Sequence, residues 1–165
     1  MRKSLTTVLV VGSALCGLTL HGVAQAKDRE EQGEKKVSRS TLPAAVQKTA
    51  QTMSQGATVK GFTKEKEEDG STTYEMAMVV NGHTKDVEMA PDGTVNVVEE
   101  EVSFDSLPGA VKSALTAKAA GAKIVKVESL TKKDKVVAYE AATVKGKTKG
   151  EVQVGPNGET LNHEE

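Results

Sequence analysis

The residues able to do chemistry are few and scattered. Of the three histidines, His83 and His163 stand far apart and away from any cysteine. A zinc site needs His or Cys ligands at short spacings, and neither histidine has such a neighbour. Cys16 is the only cysteine, so no disulfide and no thiolate cage can form. No Gly-x-Ser-x-Gly elbow presents a serine nucleophile. No glycine-rich loop joins a strand to a helix to cradle a phosphate. Carboxylates are dense in Glu65-Lys66-Glu67-Glu68-Asp69 and in Glu99-Glu100-Glu101. Such oxygens can hold a divalent cation, but neither run follows the ligand rhythm of a calcium loop. They read instead as charge along strand edges that discourages unwanted pairing. These residues predict a protein that is not an enzyme and uses no metal or cofactor.

Charge is unevenly spread. Counted from Val37 to Glu101, six basic residues face eleven acidic ones; from Val102 to Glu165, ten basic residues face eight acidic ones. The basic residues of the second half gather as Lys132, Lys133, Lys135 and as Lys145, Lys147, Lys149, at expected hairpin tips. Nucleic acid is a poor partner for them, because the chain carries a net charge of −1 and lacks an aromatic stacking platform. The asymmetry suits the orientation of the two halves, or the steering of an oppositely charged partner. Met76 and Met78 alternate on one strand face and offer an adaptable contact surface if no helix covers them.

The N-terminus reads as a secretory signal. Met1-Arg2-Lys3 is basic, residues Leu5 to Val23 are mostly apolar, and Ala24-Gln25-Ala26 fits a peptidase site. The apolar stretch is broken by Gly12, Gly17 and His21 and is short of the ~20 residues a spanning helix needs. The expectation is an exported protein, periplasmic or secreted, with a signal peptide over 1–26 and no membrane insertion after cleavage. Leu15 before Cys16 argues against lipidation. Residues 27–36 are charged without an apolar member and read as a flexible arm.

The remainder repeats itself. Val37-Ser38 through Val46 lies over Val102-Ser103 through Val111 at an offset of 65 residues. The same offset carries Gly56-Ala57 onto Gly121-Ala122 and Tyr74-Glu75 onto Tyr139-Glu140. Allowing one small slip at a hairpin tip, Pro91-Asp92-Gly93 falls on Pro156-Asn157-Gly158. Two modules are expected, over 37–101 and 102–165. Each opens with a helix, marked by Leu42, Val46, Ala50 and Met53 or by Leu107, Val111, Ala114 and Leu115 on one face. Pro43 and Pro108 fall in the first turn, with Ser or Thr upstream to cap. Gly56 and Gly121 end the helices. Alternating strands follow, joined by turns such as Asn81-Gly82, whose residues accept positive φ. The last strands are expected over Thr94–Val98 and around Glu159–Asn162. The fold class is α+β, as two tandem repeats, each an N-terminal helix packed on a four-stranded antiparallel meander, with the joining of the two sheets left open.

The order Leu-Pro-x-x-Val, Gly-Ala helix end, Tyr-Glu strand and Pro-Asp/Asn-Gly turn resembles the PepSY-like family, which is related in structure to beta-lactamase inhibitor protein. The likeness covers nearly all of the chain beyond residue 36, as two copies. It implies an exported protein that binds a protein or peptide in the cell envelope, with restraint of a peptidase as one form of that role. The inhibitor's aromatic-rich binding face has no counterpart, since Phe62, Tyr74, Phe104 and Tyr139 are the only aromatics. The expected contact residues are Met76, Met78, Lys132, Lys133, Lys135, Lys145, Lys147 and Lys149. The alternative function is sensing or scavenging of a small ligand or cation.

Overall fold

The computed structural model describes residues 34–67 and 69–162. The signal-peptide and lipidation readings, most of the charged arm, and His163 lie outside the described residues.

The chain opens with a short strand β1 (Lys35–Val37), so the end of the expected arm is paired backbone. A 3-10 turn (Arg39–Thr41) leads to helix α1 (Ala44–Met53). Pro43 is the N-cap itself, where its missing N–H removes no helical bond. The expected Ser/Thr cap does not form. Thr41 Oγ1 instead donates to the Ser38 carbonyl at 2.8 Å and closes the 3-10 turn. Gly56 then takes φ of +75°. Helix α2 (Gly109–Lys118) repeats the plan after a 3-10 turn at Phe104–Ser106, with Ser106 Oγ donating to Ser103 and Gly121 at φ +80°.

Strands β2 (Thr58–Lys66), β3 (Thr72–Val80), β4 (His83–Met89) and β5 (Val95–Glu101) precede α2; β6 (Lys123–Lys132), β7 (Lys135–Lys145) and β8 (Thr148–Val154) follow it. Asn81 and Gly82 both take positive φ, as do Lys133 and Asp134, the signature of two-residue hairpins.

The expected two repeats, each a helix on a four-stranded sheet, are incorrect. All strands join one eight-stranded antiparallel sheet in the order β1 to β8. The strand expected to close the first module is longer than its sequence pattern suggested and pairs on both sides. Asp86↔Glu99 joins it to β4, and Glu99↔Leu130 joins it to β6. An unpaired edge there would leave a row of N–H and C=O groups unsatisfied, and β6 satisfies them. No strand forms over Glu159–Asn162.

Both helices lie on one face of this sheet. Leu42, Val46 and Ala50 of the α1 segment pack on Phe62, Met76, Met78, Val87 and Met89. Leu107, Val111 and Leu115 pack on Val127, Ala141 and Val154. The ladder Val87↔Val98↔Thr131 keeps the two cores on the same side. The Pro-x-Gly turns clamp the helix starts: Gly93 and Gly158 sit at φ +83° against the carbonyls of Ala45 and Ala110.

Candidate functional site

Alternation along a strand sends the neighbours of the core residues to the opposite, helix-free face. Those neighbours are largely carboxylates, and the register sets them in rows. Glu75 pairs with Glu88. Asp86, Glu99, Leu130 and Ala138 form the next row. Glu101, Glu128, Glu140 and Gln153 form a third. Lys126, Ala142 and Glu151 form a fourth. Leu161 seats itself on Val97, Leu130 and Ala138, a small apolar island in this face.

Several of these carboxylates are withdrawn from water. Glu128 is 2%, Glu140 6% and Asp86 9% exposed. Burial disfavours the charged form, and neighbouring carboxylates add repulsion. Burial, then the charge of Asp86, pushes the Glu75 carboxyl up to about 8. Burial pushes Glu140 up to about 8 as well, against the hydrogen bond that Gln153 Nε2 donates to it at 2.7 Å. Asp86 is raised to about 6 by burial and by Glu128, with Lys126 and a backbone N–H opposing. Lys126 Nζ lies 2.6 Å from Glu128 and supplies the counter-charge at the centre. Glu101 moves the other way, held low by the backbone N–H of Thr84 at 3.0 Å. Oxygens of Asp86, Glu99 and Glu128 come within 4.8 Å of one another.

This arrangement can share protons or receive positive charge. Among the described residues it brings no nucleophile together with a base. His83, the only histidine among the described residues, is exposed and 3.9 Å from Glu101.

The expected contact residues fall elsewhere. Met76 and Met78 are 0% and 1% exposed, in the core under α1, so the face they line is the covered one. Lys132, Lys133 and Lys135 mark the β6–β7 hairpin, while Lys145, Lys147 and Lys149 mark the β7–β8 hairpin. These hairpins sit at opposite ends of β7, so the lysines form two patches and not one. The run Glu99-Glu100-Glu101 is not a charged edge, since β5 is paired on both sides. The glutamates beside the recurring tyrosines escaped the sequence reading. Tyr74 is buried in the first core and Tyr139 packs against the second, which turns Glu75 and Glu140 to the other face. The usable signal is the acidic partner in each period-two strand: Glu75, Asp86 and Glu88, Glu99 and Glu101, Glu128, Glu140, Glu151.

No family model matches the sequence, and no curated protein matches it. Solved structures do. A protein of inferred periplasmic location from Bacteroides eggerthii superposes with a TM-score of 0.58 at 21% identity, covering 73% of this chain and 86% of its own. A DUF2874 family protein from Bacteroides ovatus gives 0.55 at 21% identity, covering 74% and 86%. A BLIP-like protein from Bacteroides fragilis gives 0.52 at 19% identity, covering 74% and 85%. No helix among the described residues is long and apolar enough to cross a membrane. The superpositions, resting on shape at low identity, show that this chain has a BLIP-like fold.

Proposed function

We propose that this chain is an exported, non-catalytic binding module that holds a protein or peptide partner in the cell envelope, and that its working surface is the helix-free face of the sheet. One observation carries the reading: the face away from both helices concentrates buried carboxylates, with Glu75 and Glu140 both pushed up to about 8. Such groups favour a ligand that brings positive charge, because each cation relieves the repulsion among them. A lysine- or arginine-bearing segment meets that description. Restraint of a peptidase, implied by the PepSY-like motif order, is the finer form of this role. A tandem origin is supported by pairings that recur 65 residues apart, Lys36↔Thr63 with Glu101↔Glu128 and Met76↔Val87 with Ala141↔Val152.

The test is a titration with an oligolysine peptide at low salt and pH 8, followed by amide chemical shifts. Shifts on β3, β6 and β7, lost in E75Q/E140Q, are the expected result. No saturable binding removes the reading.

A second reading, a divalent cation, is favoured by the convergence of Asp86, Glu99 and Glu128. Calcium would then raise the melting temperature, since a ligand of the folded state alone stabilises it. An unchanged melting temperature at millimolar calcium rejects it.

A further inference from the structure

Strand β8 ends the sheet, and among the described residues no strand pairs with its outer edge. Its counterpart earlier in the chain is covered. Tyr74↔Met89 and Val80↔His83 of β3 and β4 recur as Tyr139↔Val154 and Lys145↔Thr148 of β7 and β8. β4 therefore holds the place that β8 holds, and β5 runs antiparallel along it from Lys85↔Glu100 to Met89↔Val95. The residues after β8 do not repeat this. Past the Pro156-Asn157-Gly158 turn, Leu161 crosses onto the helix-free face. An open edge offers N–H and C=O groups as a template for an incoming strand.

The contacts of β5 show what such a strand needs. Its acidic end lies on the start of β4: Glu100 is 2.5 Å from Lys85 Nζ, and Glu101 accepts from the N–H and hydroxyl of Thr84 at 3.0 and 3.2 Å. The position of Thr84 corresponds to Lys149 in β8, with Lys147 in the adjoining turn, while Lys85 and Asp86 correspond to Gly150 and Glu151, so the cationic contact falls on Lys149 and Lys147 alone. Both lysines are exposed. The start of β8 is thus cationic where a covering strand would bring its C-terminal end.

The other edge strand among the described residues is unsuited to that place. β1 pairs with β2 through Lys36↔Thr63, as β5 pairs with β6 through Glu101↔Glu128. It carries Lys35 and Lys36 where β5 carries Glu100 and Glu101. Head-to-tail addition of a second copy would set Lys36 against Lys149, and like charges facing across strands are destabilising.

We infer that the outer edge of β8 is a strand-addition site for an extended partner segment, antiparallel, with Glu or Asp at its C-terminal end. Main-chain hydrogen bonds supply affinity, and Lys147 and Lys149 set register and turn away a second copy of this chain. This edge adjoins the carboxylate face, whose third and fourth rows end at Gln153 and Glu151, and at Lys147 and Lys149 it prefers the opposite charge.

The probe is a fluorescent synthetic peptide with the sequence of residues 94–102 carrying E99Q, because Glu99 would face Glu151 in this register, titrated into the protein at low salt. Saturable binding is expected, with amide shifts confined to β8 and the β7–β8 hairpin. Affinity should fall about tenfold or more for the same peptide with its two glutamates, at positions 100 and 101, changed to lysine, and for K147E/K149E, about what removing a favourable charge contact costs. Both substitutions replace exposed side chains, and an unchanged melting temperature confirms that the variant is folded. Absence of binding, shifts on other strands, or equal binding of the charge-reversed peptide would overturn the inference. So would concentration-dependent self-association of the protein through β8 in sedimentation.

Discussion

Gln153 donates a 2.7 Å hydrogen bond to Glu140 from the neighbouring strand, yet the Glu140 carboxyl still stands at about 8. Burial outweighs the donor. The unfolded chain binds that proton with its ordinary value of 4.5, so the folded state is the stronger acid-binder. Its contribution is full below pH 4.5 and is lost as pH rises through 8. E140Q removes the ionisation. Stability of E140Q should exceed wild type by about 1–2 kcal/mol at pH 8 and match it near pH 4, measured by denaturant unfolding at both pH values. Equal stability at pH 8 would show that Glu140 ionises freely.

The same sign applies to Glu75, at about 8, and to Asp86, at about 6. The wild-type melting temperature should therefore fall between pH 5 and pH 8, against the usual trend set by paired carboxylates. A pH series of thermal melts checks this, and a rise across that window would contradict it.

A β-carbon at Gly93 would stand 2.8 Å from the Ala45 carbonyl oxygen, and one at Gly158 2.6 Å from that of Ala110. Both glycines also hold φ of +83°. G93A and G158A should each cost about 2 kcal/mol or more, through strain and displacement of the helix start. Substitution at Gly82, where φ is +89° but nothing lies within 4 Å, should cost less. Chemical denaturation of the three variants ranks them.

Met76 fills the first core, and Val111 the second. M76A should lose about 2–4 kcal/mol and V111A somewhat less. Because β5 pairs with β4 and β6 alike, both variants should shift one shared transition in calorimetry. Two separable transitions would show that the shared ladder does not couple the halves.

Much of the local structure was legible in the residues. Leu42, Val46 and Ala50 mark α1 by their spacing and are buried in its core, as Leu107, Val111 and Leu115 are for α2. Asn81-Gly82 announces its hairpin through conformations that few other pairs adopt. The strand alternation of Met76 and Met78 was legible too, but not its environment. Period two says that one face is apolar; it does not say whether a helix lies over that face. Met76 was therefore expected as a contact surface and lies in the core instead.

The charged residues show the same division. Glu99, Glu100 and Glu101 look like an exposed edge when read along the chain, because a strand's own residues do not name its second partner. Pairing of β5 with β6 reaches across a helix, and only that long-range ladder aligns Glu101 with Glu128, Glu140 and Gln153 in one row. Residue type and spacing settled where chain segments would be helical, extended or turned, since those preferences act within a few residues. Which face the helices cover and which acids become neighbours were decided by tertiary packing. Burial and charge proximity arise only when distant segments meet, and they alone move a carboxyl group from 4.5 to about 8.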